Sequence, residues 1–370
     1  MTNLGNTCFV NAVLQILLKC PPVALFFLTD KHNRFECMAH AERRGGDALC
    51  NPCLACEMDL LFTQCFSGKQ QPVSPHTFLH VLWATAESFA GYEQQDAHEF
   101  LTALLAAIDN GIKSSPPMAR PAMAVQGYDN KPVVSGSSSS NSNNGTPAEL
   151  ARLFTGILRS DVTCLQCKRK STKFDEFHDV SIDLSRIVGG GGADDADDSY
   201  HSSLAACLKA FTRSERLGFS ERCWCTNCNS LQDSAKQLSF HRLPPVLCFH
   251  LKRFRHSAQK SVPPTKIEAF IDFPLHSLDM GAHTSQNVCA ATAGGSDGSA
   301  EPLPERLYDL FGVAEHHGGM SNGHYTAYVR SQAEWFLCDD TLVAPADESS
   351  VRNCKAYLLF YVAKRLPVQL

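Results

Sequence analysis

The stretch MTNLGNTCFVNAVLQILLKCPP, residues 1–22, decides the reading of this chain. Val10, Val13, Leu14, Leu17 and Leu18 recur at the spacing of one helical face, which predicts an amphipathic helix running from Cys8. Pro21 and Pro22 end it, because proline lacks the amide a helix interior needs. Gly5, Asn6 and Thr7 are the turn and cap residues expected ahead of such a helix. Cys8 therefore stands at the helix mouth. Free amides there favour negative charge, so the position predicts a bias toward thiolate, the nucleophilic form.

The rest of the chain bounds what such a cysteine does. The 370 residues are 44% apolar and 19% charged, with net charge −5, so the composition is globular and marks no nucleic-acid-binding surface. The longest apolar run is broken by Gln15, Lys19 and the two prolines, and predicts no membrane span. It also lacks the basic flank and cleavage site of a signal peptide. Seventeen cysteines in short spacings, without a signal peptide, point to a reducing compartment and to metal binding or catalysis rather than disulfides.

Three segments rich in Ser, Gly, Asn and Asp read as loop-like or disordered inserts: 114–148, 188–199 and 284–304. Residues 1–113 read as helical. A second helix starts near Asp96, with Ala97, Leu101, Leu104, Leu105 and Ile108 on one face, and Asp96 with Glu99 as a variant capping box. After residue 235 the pattern turns to alternation, in LPPVLCFHLKRF (243–254), HYTAYVR (324–330), EWFLCDD (334–340) and AYLLFYV (356–362). Helices first and strands later argue for an α+β fold.

A cysteine nucleophile needs a base and a group that orients the base. His324 opens a strand behind Gly318, Gly319 and Gly323. Asp339 and Asp340 close a strand fifteen residues on, where a carboxylate can hold the imidazole tautomer. Asn3 carries an amide that can donate to an oxyanion. Two C-x-x-C pairs, Cys164/Cys167 and Cys225/Cys228, offer four thiolates for tetrahedral zinc, with Cys223 as a substitute. A second cluster comprises His32, Cys37, Cys53 and Cys56, with His40 and Cys50 nearby.

Taken in order, NLGNTCFVN (3–11), QQDAHEF (94–100), LPPVLCFHLKRF (243–254), GHYTAY (323–328), Trp335 with Asp339-Asp340, and AYLLFY (356–361) resemble the sequence blocks of the ubiquitin-specific proteases. The resemblance covers nearly the whole chain outside the inserts. It implies a papain-like cysteine peptidase fold over 1–370: a helical thumb (1–113), zinc-bearing β fingers (149–240) and a β palm (241–370). It implies Cys8 as nucleophile, His324 as general base, Asp339 as orienting acid and Asn3 in the oxyanion hole. Asp96 and Glu99 would face the basic tail of ubiquitin, with the loop at Gly323 closing over it. The reaction implied is hydrolysis of the isopeptide bond at ubiquitin's C-terminal glycine. The early His/Cys cluster, together with GYEQQDAHEFL and LKAFTRSERLG, is similar to the histone deubiquitinases of the SAGA coactivator. That implies a second structural zinc, ubiquitinated histone as substrate, adaptor subunits as partners, and a nuclear location, with the cytoplasm also open. The chain starts inside the cysteine block, without the Gly-Leu and the zinc-finger ubiquitin-binding domain usual in that subgroup, as a shortened version would or one whose start lies upstream. The rival reading is a zinc-stabilised ubiquitin-binding scaffold without turnover.

Overall fold

The computed structural model describes residues 1–29, 31–35, 37, 53–69, 71–91, 93–114, 149–184, 203–255, 265–292, 306–319 and 322–365. His40, Cys50, the 188–199 segment and almost all of the 114–148 segment lie outside them.

Helix α1, Cys8–Leu18, runs through the middle of the first core. One-face periodicity predicts an amphipathic helix, but the structure buries α1 all round, with only Gln15 partly open. The reason is composition: ten of its eleven residues are buried, including Phe9, Val10, Val13, Leu14 and Ile16, and such a helix is stable only inside a core. It packs against the long helix Ala97–Ser114 on one side and strands on the other. Phe9 meets Phe100 edge to face, with centroids 5.5 Å apart. Pro21 and Pro22 end α1 and also start the next helix, Pro21–Leu28, where their missing amides cost nothing.

The other side of α1 is an eight-stranded sheet. Its strands are β3 (Val180–Asp183), β8 (Val246–Lys252), β11 (Leu278–Asp279), β12 (Leu307–Gly318), β13 (Gly323–Ser331), β14 (Glu334–Asp339), β15 (Leu342–Ala346) and β16 (Ala356–Ala363). The spatial order is β15-β14-β13-β12-β16-β8-β3, with β11 paired to β12. All pairs are antiparallel except β3 with β8. β12 approaches α1 so closely that a Cβ on Gly312 would lie 2.5 Å from Ile16 Cγ2, which demands glycine there. The α+β expectation holds, with helices gathered on residues 1–114 and most strands later.

Apolar alternation is legible only after residue 235, yet strands begin earlier: β1 (Gly156–Cys164) and β2 (Lys170–Phe177) form a four-stranded sheet with β4 (Glu215–Arg216) and β7 (Ser234–Arg242). β2 is an edge strand exposed along most of its length, so it carries no apolar alternation to read. Between β2 and β4 in sequence, β3 joins the large sheet beside β8. Finally, the expected loop at 284–304 opens with a helix, Ser285–Thr292. Thr284 Oγ1 and Asn287 Nδ2 both donate to Gly281 O, and buried Val288 anchors the helix. Among the described residues no single helix is long and apolar enough to cross a membrane.

Candidate active site and metal clusters

Cys8 is the first residue of α1 and is buried. Thr7 occupies the N-cap position but makes no side-chain cap. Its hydroxyl instead accepts from the Leu4 amide and donates to Asn3 Oδ1, which also accepts from the Gly5 and Thr7 amides. The turn before Cys8 is thus organised around the Asn3 side chain.

Burial pushes the Cys8 thiol above its ordinary range, and the charge of Asp340 adds to that. Hydrogen bonding from the backbone of Tyr325, Phe9 and Cys8 itself pulls the other way, and burial wins. The helix start therefore does not by itself make a thiolate, contrary to the expectation from position alone. A partner must take the proton. The contact with Tyr325 sets the sulfur beside the residue that follows His324.

His324 is the second residue of β13, and Asp339 is the last of β14. His324 Nε2 meets Asp339 Oδ1 at 2.7 Å. With Nε2 so held, Nδ1 is the ring nitrogen left for proton exchange. Asp340 is engaged elsewhere. Its backbone turns to φ +48°, and its carboxylate accepts from Asn3 Nδ2 and Asn11 Nδ2, each at 2.8 Å. The two aspartates thus separate: Asp339 holds the histidine, and Asp340 ties the turn before Cys8 to the sheet. Asn3, expected as an oxyanion donor, gives its amide to Asp340 in this arrangement.

Next to this constellation lies a cavity of about 510 Å³ lined by Gln94, Asp96, Glu99, Phe254, His316, Tyr325 and Tyr357 among others. Asp96 Oδ1 accepts from the amides of His98 and Glu99, so it caps the helix Ala97–Ser114, while Oδ2 accepts from Tyr357 Oη. Both oxygens have internal work, which leaves exposed Glu99 as the freer acid of the expected pair. His250 lies under the cavity, stacked on His98 with centroids 3.9 Å apart. Burial and the neighbouring His98 hold it neutral, down to about 3. Gly323 admits no side chain: a Cβ there would sit 2.0 Å from His316 Nε2.

Gln94 and Asn11 lie in the sequence blocks quoted above without a role of their own, and Lys266 lies outside them, yet each ties the site together. Asn11 falls one helical turn after Cys8, a spacing that puts it on the same face. Gln94 pairs with the backbone of Gly323, and Lys266 Nζ donates to His316 O and Gly318 O. Contacts of this kind leave no local pattern.

Both predicted metal clusters assemble, with ligand atoms within 4.8 Å of one another. In the first, His32 Nε2 lies 3.2 Å from Cys56 Sγ and 3.8 Å from Cys53 Sγ, Cys37 completes the set, and all four residues are buried. In the second, Cys164 and Cys228 are 4.0 Å apart and Cys167 and Cys225 3.5 Å. Four sulfurs at 2.3 Å from one metal would be separated by roughly 3.8 Å, so the spacing fits a tetrahedral zinc site. Cys223 is not a ligand: its thiol points to Glu221 O.

Residues 1–361 match the family model described as UCH, ubiquitin carboxyl-terminal hydrolase. Ubiquitin carboxyl-terminal hydrolase 51 of Mus musculus is 38% identical over 372 residues, 98% of this chain and 50% of its own length. Ubiquitin carboxyl-terminal hydrolase 22-A of Xenopus laevis is 37% identical over 374 residues, 98% of this chain and 65% of its own. The chain thus spans half to two-thirds of these relatives. The solved structure of the SAGA Ubp8/Sgf11/Sus1/Sgf73 DUB module bound to ubiquitin aldehyde superposes with a TM-score of 0.72 at 26% identity, covering 99% of this chain and 70% of the solved one. With the cysteine, histidine and aspartate on their three elements and both Cys-rich clusters closed, the chain belongs to the ubiquitin carboxyl-terminal hydrolase family.

Proposed function

We propose that this chain is a thiol-dependent deubiquitinase that hydrolyses the bond to the C-terminal glycine of ubiquitin. The observation that carries the reading is the His324–Asp339 contact of 2.7 Å, on a strand whose next residue, Tyr325, touches the Cys8 thiol. In the reaction His324 takes the Cys8 proton, and the thiolate attacks the glycine carbonyl carbon. The C–N bond breaks, and His324 returns the proton to the departing amine. Water then attacks the thioester, with His324 again as base, releasing ubiquitin's carboxylate and the Cys8 thiol. Asp339 keeps the imidazole in the tautomer that can act and stabilises its cation. Asn3 serves the oxyanion once substrate draws its amide from Asp340. Exposed Glu99, beside Asp96 and the loop at Gly323, receives the basic tail of ubiquitin.

In this reading residues 1–113 are the thumb, the β1–β2–β7–β4 sheet with its cysteine cluster forms the fingers, and the eight-stranded sheet is the palm. His32, Cys37, Cys53 and Cys56 hold one structural zinc, and Cys164, Cys167, Cys225 and Cys228 hold another. The ion supplies cross-linking and no reaction step. The similarity to Ubp8, solved with Sgf11, Sus1, Sgf73 and ubiquitin aldehyde, supports adaptor subunits of that kind as partners. The reading extends to ubiquitinated histone as substrate and to a nuclear location, which the resemblance to the SAGA-type enzymes implies.

Two aspartate variants test the assignment on ubiquitin carrying a C-terminal fluorogenic amide. Asp339→Asn loses the charge behind His324 and drops kcat by about 10²–10⁴-fold. Asp340→Asn keeps an acceptor for one of the Asn3 and Asn11 amides, loses the other to an NH2 group, leaves the His324–Asp339 pair intact and costs about tenfold or less. The reverse order would make Asp340 the orienting acid.

A further inference from the structure

The side chain of Gln94 closes on both backbone groups of a single residue 229 positions away. Its Nε2 donates to Gly323 O, and Gly323 N donates to its Oε1 at 2.9 Å. This reproduces one rung of an antiparallel ladder at the point where β13 begins. On the other arm of the hairpin, Lys266 Nζ donates to His316 O at 2.8 Å and to Gly318 O at 3.0 Å. Gly318 pairs with Gly323, and His317 with His324. The mouth of the β12–β13 hairpin is therefore gripped from two sides, by Lys266 on β12 and by Gln94 on β13.

His324 needs that grip. Its ring is only half-buried, and among the described residues its side-chain hydrogen bond is to Asp339, whose own side chain is equally open. One such contact fixes the distance of the ring from Asp339 but not the direction of Nδ1. That direction is inherited from the backbone of Gly323 and His324. Gln94 belongs to the segment leading into the helix Ala97–Ser114, which packs on α1 and so on Cys8. A side chain rooted on the nucleophile's half thus holds the backbone of the base's half.

We infer that Gln94 is a positioning residue that aims His324 at Cys8 by clamping Gly323. The inference rests on the reading of Cys8 as nucleophile and His324 as base. A misplacement of the ring by about 1 Å is enough to cost on the order of 100-fold in rate.

The test uses the full zinc-loaded chain and two readouts. The first is alkylation of Cys8 by iodoacetamide against pH, followed on its own peptide by mass spectrometry, with exposed Cys65 as internal reference. The second is kcat and KM on the fluorogenic ubiquitin amide, with the adaptor subunits present. The wild-type protein shows rapid Cys8 alkylation at about pH 7, because His324 takes the proton, and His324→Ala loses it. Gln94→Ala moves the profile toward that of His324→Ala. It lowers neutral-pH alkylation about tenfold or more and kcat by about 10–100-fold, with KM within about threefold. Gln94→Glu keeps the acceptor for Gly323 N, loses the donor to Gly323 O, and falls between.

A Gln94→Ala profile identical to wild type, or a rise in KM alone, overturns the inference; the latter would make Gln94 a substrate contact. Loss of melting temperature in step with activity in both Gln94 variants also overturns it, in favour of a merely structural role. If instead His324→Ala alkylates like wild type, the failure belongs to the catalytic reading itself.

Discussion

Cys8→Ala abolishes hydrolysis of ubiquitin conjugates, by on the order of 10⁴–10⁶-fold, and leaves ubiquitin affinity within about threefold. The size follows from the chemistry. No other described cysteine sits at a helix mouth beside the strand that carries His324, so no neighbour can substitute. Affinity survives because, on the proposed reading, ubiquitin is held along the cavity beside Asp96 and Glu99 and by the fingers, none of which uses the sulfur. The change is also gentle on the fold. Cys8 is buried at the edge of a core whose centre is Val13, Leu14 and Ile16, and alanine keeps the helix. Steady-state kinetics beside titration calorimetry with ubiquitin reads both halves. A variant that loses binding together with turnover would place Cys8 in the scaffold rather than the chemistry.

Removal of metal has the second largest effect, and the two clusters answer differently. His32, Cys37, Cys53 and Cys56 are all buried inside the first core, at the start of the helix Leu54–Cys65. A structural zinc supplies about 10–16 kcal/mol at neutral pH, as much as the whole net stability of a typical domain. Without it, three thiols and an imidazole are left buried with no ion to share. Cys56→Ala therefore lowers the melting temperature by about 10 °C or more, and the loss of activity follows from unfolding. The other cluster lies at the tip of a separate sheet, with Cys167 and Cys228 partly open. Cys228→Ala leaves the main thermal transition in place and raises KM for ubiquitin instead, because it loosens the hairpin of β5 (Cys223–Cys225) and β6 (Ser230–Gln232). Mass spectrometry of metal content gives two zinc ions per wild-type chain and one per variant. Equal losses of stability from the two variants would contradict the division.

The candidate site was legible in the sequence because its residues lie at or near element ends, where local signals are strong. Cys8 opens a helix, His324 follows the first residue of a strand, and Asp339 closes one. Likewise the C-x-x-C spacings are local and survive any error about the fold. What the sequence did not carry has physical reasons. Apolar periodicity reports a buried face, so it could not distinguish α1 lying on a surface from α1 passing through a core. Edge strand β2 is charged and exposed, and the helix Ser285–Thr292 carries few large apolar residues, with Val288 buried. Asp339 and Asp340 are indistinguishable as a dipeptide. Only the +48° backbone turn between them sends one carboxylate to His324 and the other to Asn3 and Asn11. The thiolate expectation erred for a related reason: the helix amides are present, but burial of the sulfur outweighs them, and burial is a property of the whole fold.

The raised thiol gives the pairing its purpose. Burial pushes the Cys8 thiol up, so on the proposed reading the sulfur gains its reactivity from His324 as proton acceptor. Reactivity is thereby tied to correct assembly of two halves of the molecule, the helical part that carries Cys8 and the sheet that carries His324. Gln94, Asn11 and Asp340 are the cross-links between those halves, and each joins residues more than 200 positions apart.

The most direct test of the central claim is covalent capture with ubiquitin bearing a C-terminal electrophile, followed by peptide mapping in the presence of the adaptor subunits. The account predicts a single adduct on Cys8, absent in Cys8→Ala and strongly slowed in His324→Ala. An adduct on another cysteine, or ubiquitin bound without any adduct, would contradict it and leave a zinc-stabilised ubiquitin-binding scaffold.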